Sequence, residues 1–290
     1  MQFTKMQGLG NDYIYVDLNP ETAVNPPEVL ELVRTHPAQL AKVVSNRHFG
    51  IGADGLILIL PSKTAQFQMQ IYNADGSEGE MCGNGIRCVG KYIFERELSS
   101  NRRLEIETKA GIKILELHGK GESVSAVTVD LGEPILHPTR IPVKSELEQI
   151  VGEPFAESGY AMPLTCVSMG NPHAIFFVDH ITDDMVFRLG PAVESHSMFP
   201  NRTNVEFVEV LSPAQLRMRV WERGSGETMA CGTGAAAVAV AAVLNGHAQR
   251  ECIVHLLGGD LKLEWAQDNH VYQTGPAEFV FDGTIDISVD

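Results

Sequence analysis

The sequence lacks both a long apolar run and a surplus of basic residues. No stretch of about 18 apolar residues occurs, so no membrane-spanning helix is expected. The formal net charge of −15, from 22 Lys and Arg against 37 Asp and Glu, disfavours phosphate backbones and anionic lipid surfaces. The opening residues, MQFTKMQGLGNDY, show neither a secretory signal nor a transit peptide. We therefore expect a cytoplasmic protein with no nucleic-acid or membrane partner.

Cysteine is also scarce, and its spacing is uninformative for metal or disulfide chemistry. The five cysteines are odd in number and scattered, at Cys82, Cys88, Cys166, Cys231 and Cys252. A chain of 290 residues needs no disulfide for stability, so we expect reduced thiols. A paired C-x₂-C pattern is missing, and the sequence predicts no metal site.

An internal repeat is the strongest pattern in the chain, whose length suits two domains. The segment Ser77–Gly85 resembles Ser225–Gly234, and both contain C-G-x-G after a Gly-rich acidic approach. Further along, Lys109–Glu116 resembles Leu257–Glu264 at nearly the same offset, about half the chain. Two similarities at one offset indicate a duplication.

Each copy reads as a strand, the C-G-x-G turn, a helix and further strands. Residues 66–72 and 216–221 alternate between apolar and polar side chains, which predicts strands before the turns. Helical spacing follows the first turn over Ile86–Ile93, and Ala235–Leu244 is apolar on every side until Asn245. A helix of that kind belongs in a core.

These elements predict an α+β fold with two pseudo-symmetric lobes, each a curled, mostly antiparallel sheet around a central buried helix. The expected lobes are residues 1–131 and 132–276, with the C-terminal segment 277–290 returning to the first lobe as a strand. We expect the active site in the cleft between the lobes.

The two C-G-x-G turns place a cysteine just before a helix. Unpaired backbone N–H groups and the helix dipole favour a thiolate there, so the thiol pKa should fall below its usual value of about 8.5. Glycines at 83, 85, 232 and 234 let the backbone approach a ligand and donate to a carboxylate. The alternative is that Cys82 and Cys231 are small core residues, as we interpret Cys88, Cys166 and Cys252.

Two thiols facing one carbon suit stereoinversion. One thiolate removes a proton from one face while one thiol delivers a proton to the other face. The weakly acidic α-carbon of an amino acid would need a dry, ordered site with donors on its carboxylate.

Around these residues the sequence closely resembles the diaminopimelate epimerase family. The matching segments are Gly8–Asp12, Tyr72–Ser77, Met81–Gly85, Ser168–His173, Arg202–Val205, Trp221–Gly224 and Ala230–Gly234. The resemblance implies two lobes that close over the substrate without metal or pyridoxal phosphate. It also implies inversion at one α-carbon of LL-2,6-diaminopimelate to give the meso isomer, in lysine and bacterial cell-wall precursor biosynthesis.

The resemblance assigns roles residue by residue. Cys82 and Cys231 are the acid and base pair, and His173 and Glu222 tune the thiols. Substrate-binding residues are Asn11, Asn73, Gly83, Asn84, Asn171, Asn204, Glu222, Arg223, Gly232 and Thr233. Amide side chains can donate to a carboxylate and accept from an ammonium, and an arginine can grip a carboxylate in two places.

Three positions depart from the family pattern. Gly55 stands where some relatives have a glutamine that touches substrate, so it is left out of the predicted site. Thr233 replaces a serine but keeps the hydroxyl. Phe281 occupies the place of a dimer-contact tyrosine, and a homodimer is still a possible assembly.

Two alternatives stay open. A proline racemase or hydroxyproline epimerase of the same fold would keep both cysteines, but its first motif usually has His where Asn84 stands. A non-catalytic binding protein of this fold would lack the cysteine pair.

Overall fold

The chain forms two compact units, and the computed structural model describes residues 1–287. The first unit comprises Met1–Val129 and the segment that begins at Gly275, and the second unit comprises Asp130–Thr274. The sequence-based division after residues 131 and 276 differs from this one by two residues at each boundary. Residues 288–290 of the predicted segment 277–290 lie outside the described residues. Both units are mostly sheet with few helices, so the predicted α+β class is confirmed.

The sheet of the first unit runs in the order β18-β1-β2-β3-β4-β6-β7-β8. These strands are β1 (Gln2–Gly8), β2 (Asn11–Asp17), β3 (Gly55–Pro61), β4 (Phe67–Asn73), β6 (Arg103–Thr108), β7 (Gly111–His118), β8 (Ala126–Asp130) and β18 (Glu278–Thr284), and the two-residue β5 (Glu78–Gly79) pairs with β4. The pairs β2–β3 and β4–β6 are parallel. The other neighbours in this order are antiparallel.

The second unit repeats this succession as β9-β10-β11-β12-β13-β15-β16-β17. The strands are β9 (Glu153–Glu157), β10 (Tyr160–Ser168), β11 (Pro172–Phe177), β12 (Asn204–Ser212), β13 (Gln215–Glu222), β15 (Glu251–Leu256), β16 (Gly259–Trp265) and β17 (Val271–Gly275), with the short β14 (Gly226–Glu227) beside β13. Here β11–β12 and β13–β15 are the parallel pairs. The antiparallel pairs occupy the same places in the order. An internal duplication produces such a correspondence.

A buried helix connects the second parallel pair of each unit. Parallel neighbours cannot be joined by a tight turn, so the chain crosses over through a helix. In the first unit α3 (Gly83–Glu95) makes this connection, and Ile86, Val89 and Ile93 on it are fully buried, as the helical spacing predicts. The helices α1 (Pro27–Thr35) and α2 (Pro37–Ser45) were not predicted; each begins with a proline, which is favoured at the first helical position.

The corresponding helix of the second unit is α5 (Gly232–Leu244). Its alanines and valines from Ala235 to Ala242 are buried all round, and it ends before Asn245, so the predicted core helix is confirmed. It starts three residues earlier than predicted because Gly232–Gly234 reads as a turn. Shorter helices are α4 (Gly190–Glu194), a π-helix over Met185–Leu189 and a 3₁₀ turn over Pro138–Arg140. None of the helices within residues 1–287 has the length and apolar character that crossing a membrane requires.

Gly50 should be sensitive to substitution, because it packs against the last turn of α2. Its N–H donates to the Asn46 carbonyl (2.9 Å), and an added Cβ would lie 2.2 Å from the Val43 oxygen and 2.8 Å from the Val44 oxygen. Backbone atoms of a helix cannot move aside as a side chain can. We expect Gly50→Ala to lower the free energy of unfolding by about 2 kcal/mol, measured by urea denaturation.

Gly79→Ala is the matched control. There an added Cβ would first meet the Ile71 Cγ2 atom, at 3.1 Å, and a side chain can adjust. Equal stability of the two variants would contradict the packing argument.

Candidate active site

Cys82 is the residue that caps the N-terminus of α3. Its backbone is extended (φ −132°, ψ 117°), and its sulfur accepts a hydrogen bond from the Gly85 N–H at 3.4 Å. The first-turn N–H groups of a helix have no partner within the helix. The thiol of Cys82, which is partly exposed, therefore sits among backbone donors, as the C-G-x-G turn predicts.

Asn11 and Asn84 lie beside this thiol. The Asn11 Oδ1 atom accepts from the Cys82 Sγ and from the Asn84 Nδ2, both at 3.4 Å. The Asn11 Nδ2 donates to the Asp54 carboxylate at 2.6 Å, and Arg47 donates to the same carboxylate at 2.9 Å. Asp54 thus fixes the direction of the Asn11 amide. It immediately precedes β3, and the sequence reasoning did not single it out.

Arg87 is a second residue that the sequence reasoning missed. It is fully buried on α3 and donates to the Asn84 Oδ1 (2.9 Å) and to the Gly83 carbonyl (3.2 Å). Its charge opposes the rise that burial causes in the pKa of the Cys82 thiol. An arginine between the apolar residues Ile86 and Val89, one turn into the predicted core helix, is the signal that could have identified it.

Asn73 and Gly55 face each other in the register of β3 and β4. Asn73 is exposed and its amide donates to the Ser77 hydroxyl at 3.0 Å. A Cβ at Gly55 would lie 2.2 Å from the Tyr72 carbonyl and 2.9 Å from the Tyr13 ring. The backbone here leaves no room for a side chain at Gly55, and its omission from the site stays a prediction.

Cys231 caps α5 as Cys82 caps α3. Its backbone is also extended (φ −113°, ψ 107°), and the side chain is only 5% exposed. The Thr233 hydroxyl lies 3.7 Å from the sulfur. The carbonyl of Gly232 accepts a hydrogen bond from the Gln273 side-chain amide at 2.7 Å, which stabilises the turn. Both cysteines therefore occupy the N-cap position of their helix with an extended backbone; within residues 1–287 the Cys82 side chain makes a capping hydrogen bond and the Cys231 side chain does not.

Glu222, at the end of β13, is a neighbour of the Cys231 thiol. Its carboxylate accepts a short hydrogen bond from the Thr228 hydroxyl and another from the Cys231 thiol. Burial raises the pKa of Glu222, and these two hydrogen bonds oppose the rise. A carboxyl group beside a thiol is an arrangement that can influence the ionisation of that thiol.

His173 is bound on both sides of its ring. Its Nδ1 lies 2.6 Å from the Glu206 Oε1 and its Nε2 lies 3.0 Å from the Asn171 Oδ1. Parallel pairing of β11 with β12 brings these side chains together. His173 and Glu206 are fully buried, and Glu206 is a residue that the sequence reasoning did not single out.

Asn204 and Arg223 are connected at the ends of β12 and β13. The Asn204 amide donates to the Pro172 carbonyl and accepts from the Arg223 N–H, both at 2.9 Å. Asn204 is buried, whereas Arg223 is exposed and its guanidinium donates to the Asn201 carbonyl at 3.2 Å. Asn204 therefore fixes the backbone that carries Arg223.

The expectation of lowered thiol pKa values is wrong for this form of the protein. Burial raises the pKa of Cys82, although N–H groups of the α3 turn, the Tyr13 hydroxyl and the Arg87 charge oppose it. The pKa of Cys231 is raised well above its usual value by burial, and the charges of Glu222 and Glu206 raise it further. The helix terminus is present as predicted, but desolvation of the thiolate outweighs it.

The fold resembles solved structures of low sequence identity. A probable proline racemase from Agrobacterium radiobacter K84 superposes with a TM-score of 0.70 at 14% identity, covering 99% of this chain and 93% of the other. A phenazine biosynthesis protein of the PhzF family from Bacillus anthracis gives a TM-score of 0.67 at 16% identity, with 99% of each chain covered. These two likenesses concern the fold alone.

Sequence comparison identifies the family. The family model described as diaminopimelate epimerase matches residues 3–137 and 165–280. The diaminopimelate epimerase of Acetivibrio thermocellus is 54% identical over 289 residues, 99% of each chain. The diaminopimelate epimerase of Methanococcus maripaludis strain C5 is 52% identical over 288 residues, 99% of this chain and all of the other. This chain belongs to the diaminopimelate epimerase family.

Proposed function

We propose that this enzyme inverts one α-carbon of LL-2,6-diaminopimelate to give the meso isomer, with Cys82 and Cys231 as the acid and base pair. The observation that carries the proposal is the position of the two cysteines. Each caps the buried crossover helix of its unit, α3 or α5, at the same point of a repeated strand order. The names of the curated relatives, at about half identity over the whole chain, support this substrate.

The reaction needs one thiolate and one thiol. A thiolate on one face of the α-carbon takes its proton, and the thiol on the opposite face delivers another, which leaves the configuration inverted. The roles are exchanged in the reverse direction. No redox change occurs, and each turnover leaves the pair with the proton on the other sulfur. Both thiols must therefore act on the same carbon.

The developing negative charge on the substrate needs donors. In the proposal the backbone N–H groups at the starts of α3 and α5 serve the reacting α-carboxylate, with Gly83, Asn84, Gly232 and Thr233 around it. Small residues in these turns let a carboxylate come close to the backbone. The carbanion-like transition state would be stabilised there more than the ground state, which is the condition for catalysis.

The other end of diaminopimelate carries an amino group and a carboxylate. We propose that Asn11, Asn73, Asn171, Asn204 and Arg223 bind it. Asn11 has its amide nitrogen on Asp54, and Asn171 has its amide oxygen on His173, so each presents its remaining hydrogen-bonding capacity to a ligand. Arg223, exposed and only singly bonded through its guanidinium in the described structure, is suited to a two-pronged contact with a carboxylate.

His173 and Glu222 are proposed to tune the thiols. Glu222 acts directly on Cys231, whose hydrogen bond it accepts. His173 acts through Glu206. Independence from metal and cofactor, homodimer formation and a cytoplasmic location stay predictions from the sequence.

Isotope incorporation should reveal two bases. When LL-diaminopimelate is incubated in heavy water, early product should carry deuterium at the inverted centre while recovered substrate keeps protium, because the delivering thiol has already exchanged with solvent. Mass spectrometry of both isomers measures this. L-Proline serves as the control substrate and should not be racemised. Early product that retains the substrate's own proton would indicate a single base.

Removing either thiol should abolish inversion in both directions. We expect Cys82→Ala and Cys231→Ala each to lower kcat by at least about a hundredfold, because each direction uses one thiolate and one thiol. Cys252→Ala is the control: this buried thiol lies on β15, away from the two helix caps, and the variant should keep parental turnover. Near-parental activity of either Cys82→Ala or Cys231→Ala would contradict the assignment of two catalytic thiols.

Arg223→Lys should weaken substrate capture without affecting the fold. Lysine keeps the charge but loses the planar fork, so we expect KM for LL-diaminopimelate to rise about tenfold or more with an unchanged melting temperature. The matched control is Arg217→Lys, on the same segment of chain and paired with Glu209, where KM should not change. Equal KM values in both variants would make Arg223 an ordinary surface residue.

A further inference from the structure

Glu206 is a buried carboxylate that the proposed mechanism does not yet use directly. It is the third residue of β12, between Val205 and Phe207, and is 0% exposed. Its Oε1 atom contacts the His173 ring at 2.6 Å. Within residues 1–287, no donor bonds to its Oε2 atom. Burying a carboxylate with one oxygen unsatisfied is costly, which points to a role other than stability.

Glu206 lies close to the Cys231 thiol. A Cβ added at Gly234, on the first turn of α5, would be 2.8 Å from the Glu206 Oε1 and 3.2 Å from the Cys231 Sγ. Because both atoms lie so near this one position, the Glu206 oxygen and the Cys231 sulfur are at most about 6 Å apart. At that separation in a buried environment, a carboxylate charge strongly disfavours a thiolate.

Several other groups surround the same thiol. Glu222 on β13 interacts with the Cys231 thiol. His173 on β11 contacts Glu206, which in turn lies near that thiol. The Cys166 thiol on β10 also interacts with Glu206, and burial raises its pKa. Burial raises the pKa of Glu206 itself, and His173 opposes that rise. When the Glu206 carboxyl group is ionised, its negative charge raises the pKa of the Cys231 thiol.

Glu206 also anchors a chain of hydrogen bonds that ends at a proposed substrate ligand. The His173 ring is held by Glu206 on one nitrogen and by the Asn171 amide oxygen on the other. Because the amide oxygen is occupied, the Asn171 nitrogen is the group that can donate to a ligand. Loss of the Glu206 acceptor would release the ring and, with it, the amide.

We propose that Glu206 is a positioning residue of the second unit: its carboxylate holds His173 and Asn171 in place and keeps the Cys231 thiol protonated in the free enzyme. The inference rests on the proposed function, and it adds a charge that acts on one thiol only. The charge of Glu206 makes the protonation of Cys231 in the free enzyme differ from that of Cys82, although both cysteines begin a C-G-x-G helix turn.

Two variants separate the charge of Glu206 from its anchoring. Glu206→Gln removes the charge and keeps an acceptor for His173, whereas Glu206→Met removes both and fills a similar volume without needing a partner. The readout is the pH midpoint of iodoacetamide alkylation at each cysteine, mapped by peptide mass spectrometry without substrate. A midpoint reports ionisation and does not depend on how accessible the thiol is.

Both variants should lower the pH midpoint of Cys231 alkylation by about one unit. At a fixed pH below both midpoints, this shift corresponds to an alkylation rate about tenfold higher. The Cys82 midpoint is the control within each molecule and should stay constant. Only Glu206→Met should raise KM for LL-diaminopimelate, about tenfold, because Asn171 loses its support. Glu209→Gln, on the same strand with a carboxylate bonded to Arg217, is the matched control and should leave both midpoints and KM unchanged.

An unchanged Cys231 midpoint in the folded variants would overturn the proposal, as would an equal shift at Cys82 or in Glu209→Gln. An equal KM in the Gln and Met variants would overturn the anchoring role. Failure of the proposed function looks different. If the parental enzyme did not turn over LL-diaminopimelate, the alkylation midpoints could still be measured and compared.

Discussion

Burial of the crossover helix is the constraint on which the rest of each unit depends. A parallel strand pair in the middle of the sheet obliges the chain to leave β4 or β13, pass through a helix and return beside it. The helix must be covered, so most of its interior side chains are small or apolar, with Arg87 on α3 as a buried exception. Its first turn therefore lies inside the unit, where backbone N–H groups have few water molecules to bond. A cysteine at that cap lies next to the first-turn N–H groups, while burial, only partial for Cys82, disfavours its thiolate.

These two effects on the thiol oppose each other, and each unit adds different charges to the balance. In the first unit a buried cation, Arg87, acts on Cys82 against the desolvation. In the second unit Glu222 and Glu206 act on Cys231 in the same direction as desolvation. The backbone repeat is thus symmetrical while its electrostatics are not. A pair of groups that must hold one proton between them benefits from such a difference, because the starting assignment of the proton is then defined.

The sequence predicted the backbone of the site better than its electrostatics. Ala235–Leu244 could only be a core helix, because no face of it is polar. The C-G-x-G turns then located both helix caps. Glu206 was not predicted as a site residue because a single acidic residue in a strand usually lies on the solvent face. The first five residues of β12 are instead buried on both faces, beside the parallel strand β11. Which face of a strand is covered depends on contacts distant in the chain.

The same limit applies to the thiol pKa. Proximity to a helix terminus can be read from local sequence, but the desolvation that outweighs it depends on how the whole unit closes around Cys82 or Cys231. Likewise, α1 and α2 carry start signals in Pro27 and Pro37 and apolar side chains at helical spacing. The repeat in the sequence covers the second crossover of each unit, so it gives no indication of the helices in the first crossover, which are α1 and α2 in one unit and the shorter π-helix and α4 in the other.

The strand order of the first unit bears on how the protein is made. Its edge strand β18 comes from beyond the second unit and pairs with β1, and the buried Arg87 donates to the carbonyl of Pro276 at 3.1 Å. A ribosome delivers residue 276 only after all of the intervening residues. The second unit, an uninterrupted stretch of chain, can acquire its contacts during translation, whereas the first-made segment must wait for late residues. The first unit is therefore begun first during synthesis, but the second unit is the first to have all of its residues available for folding.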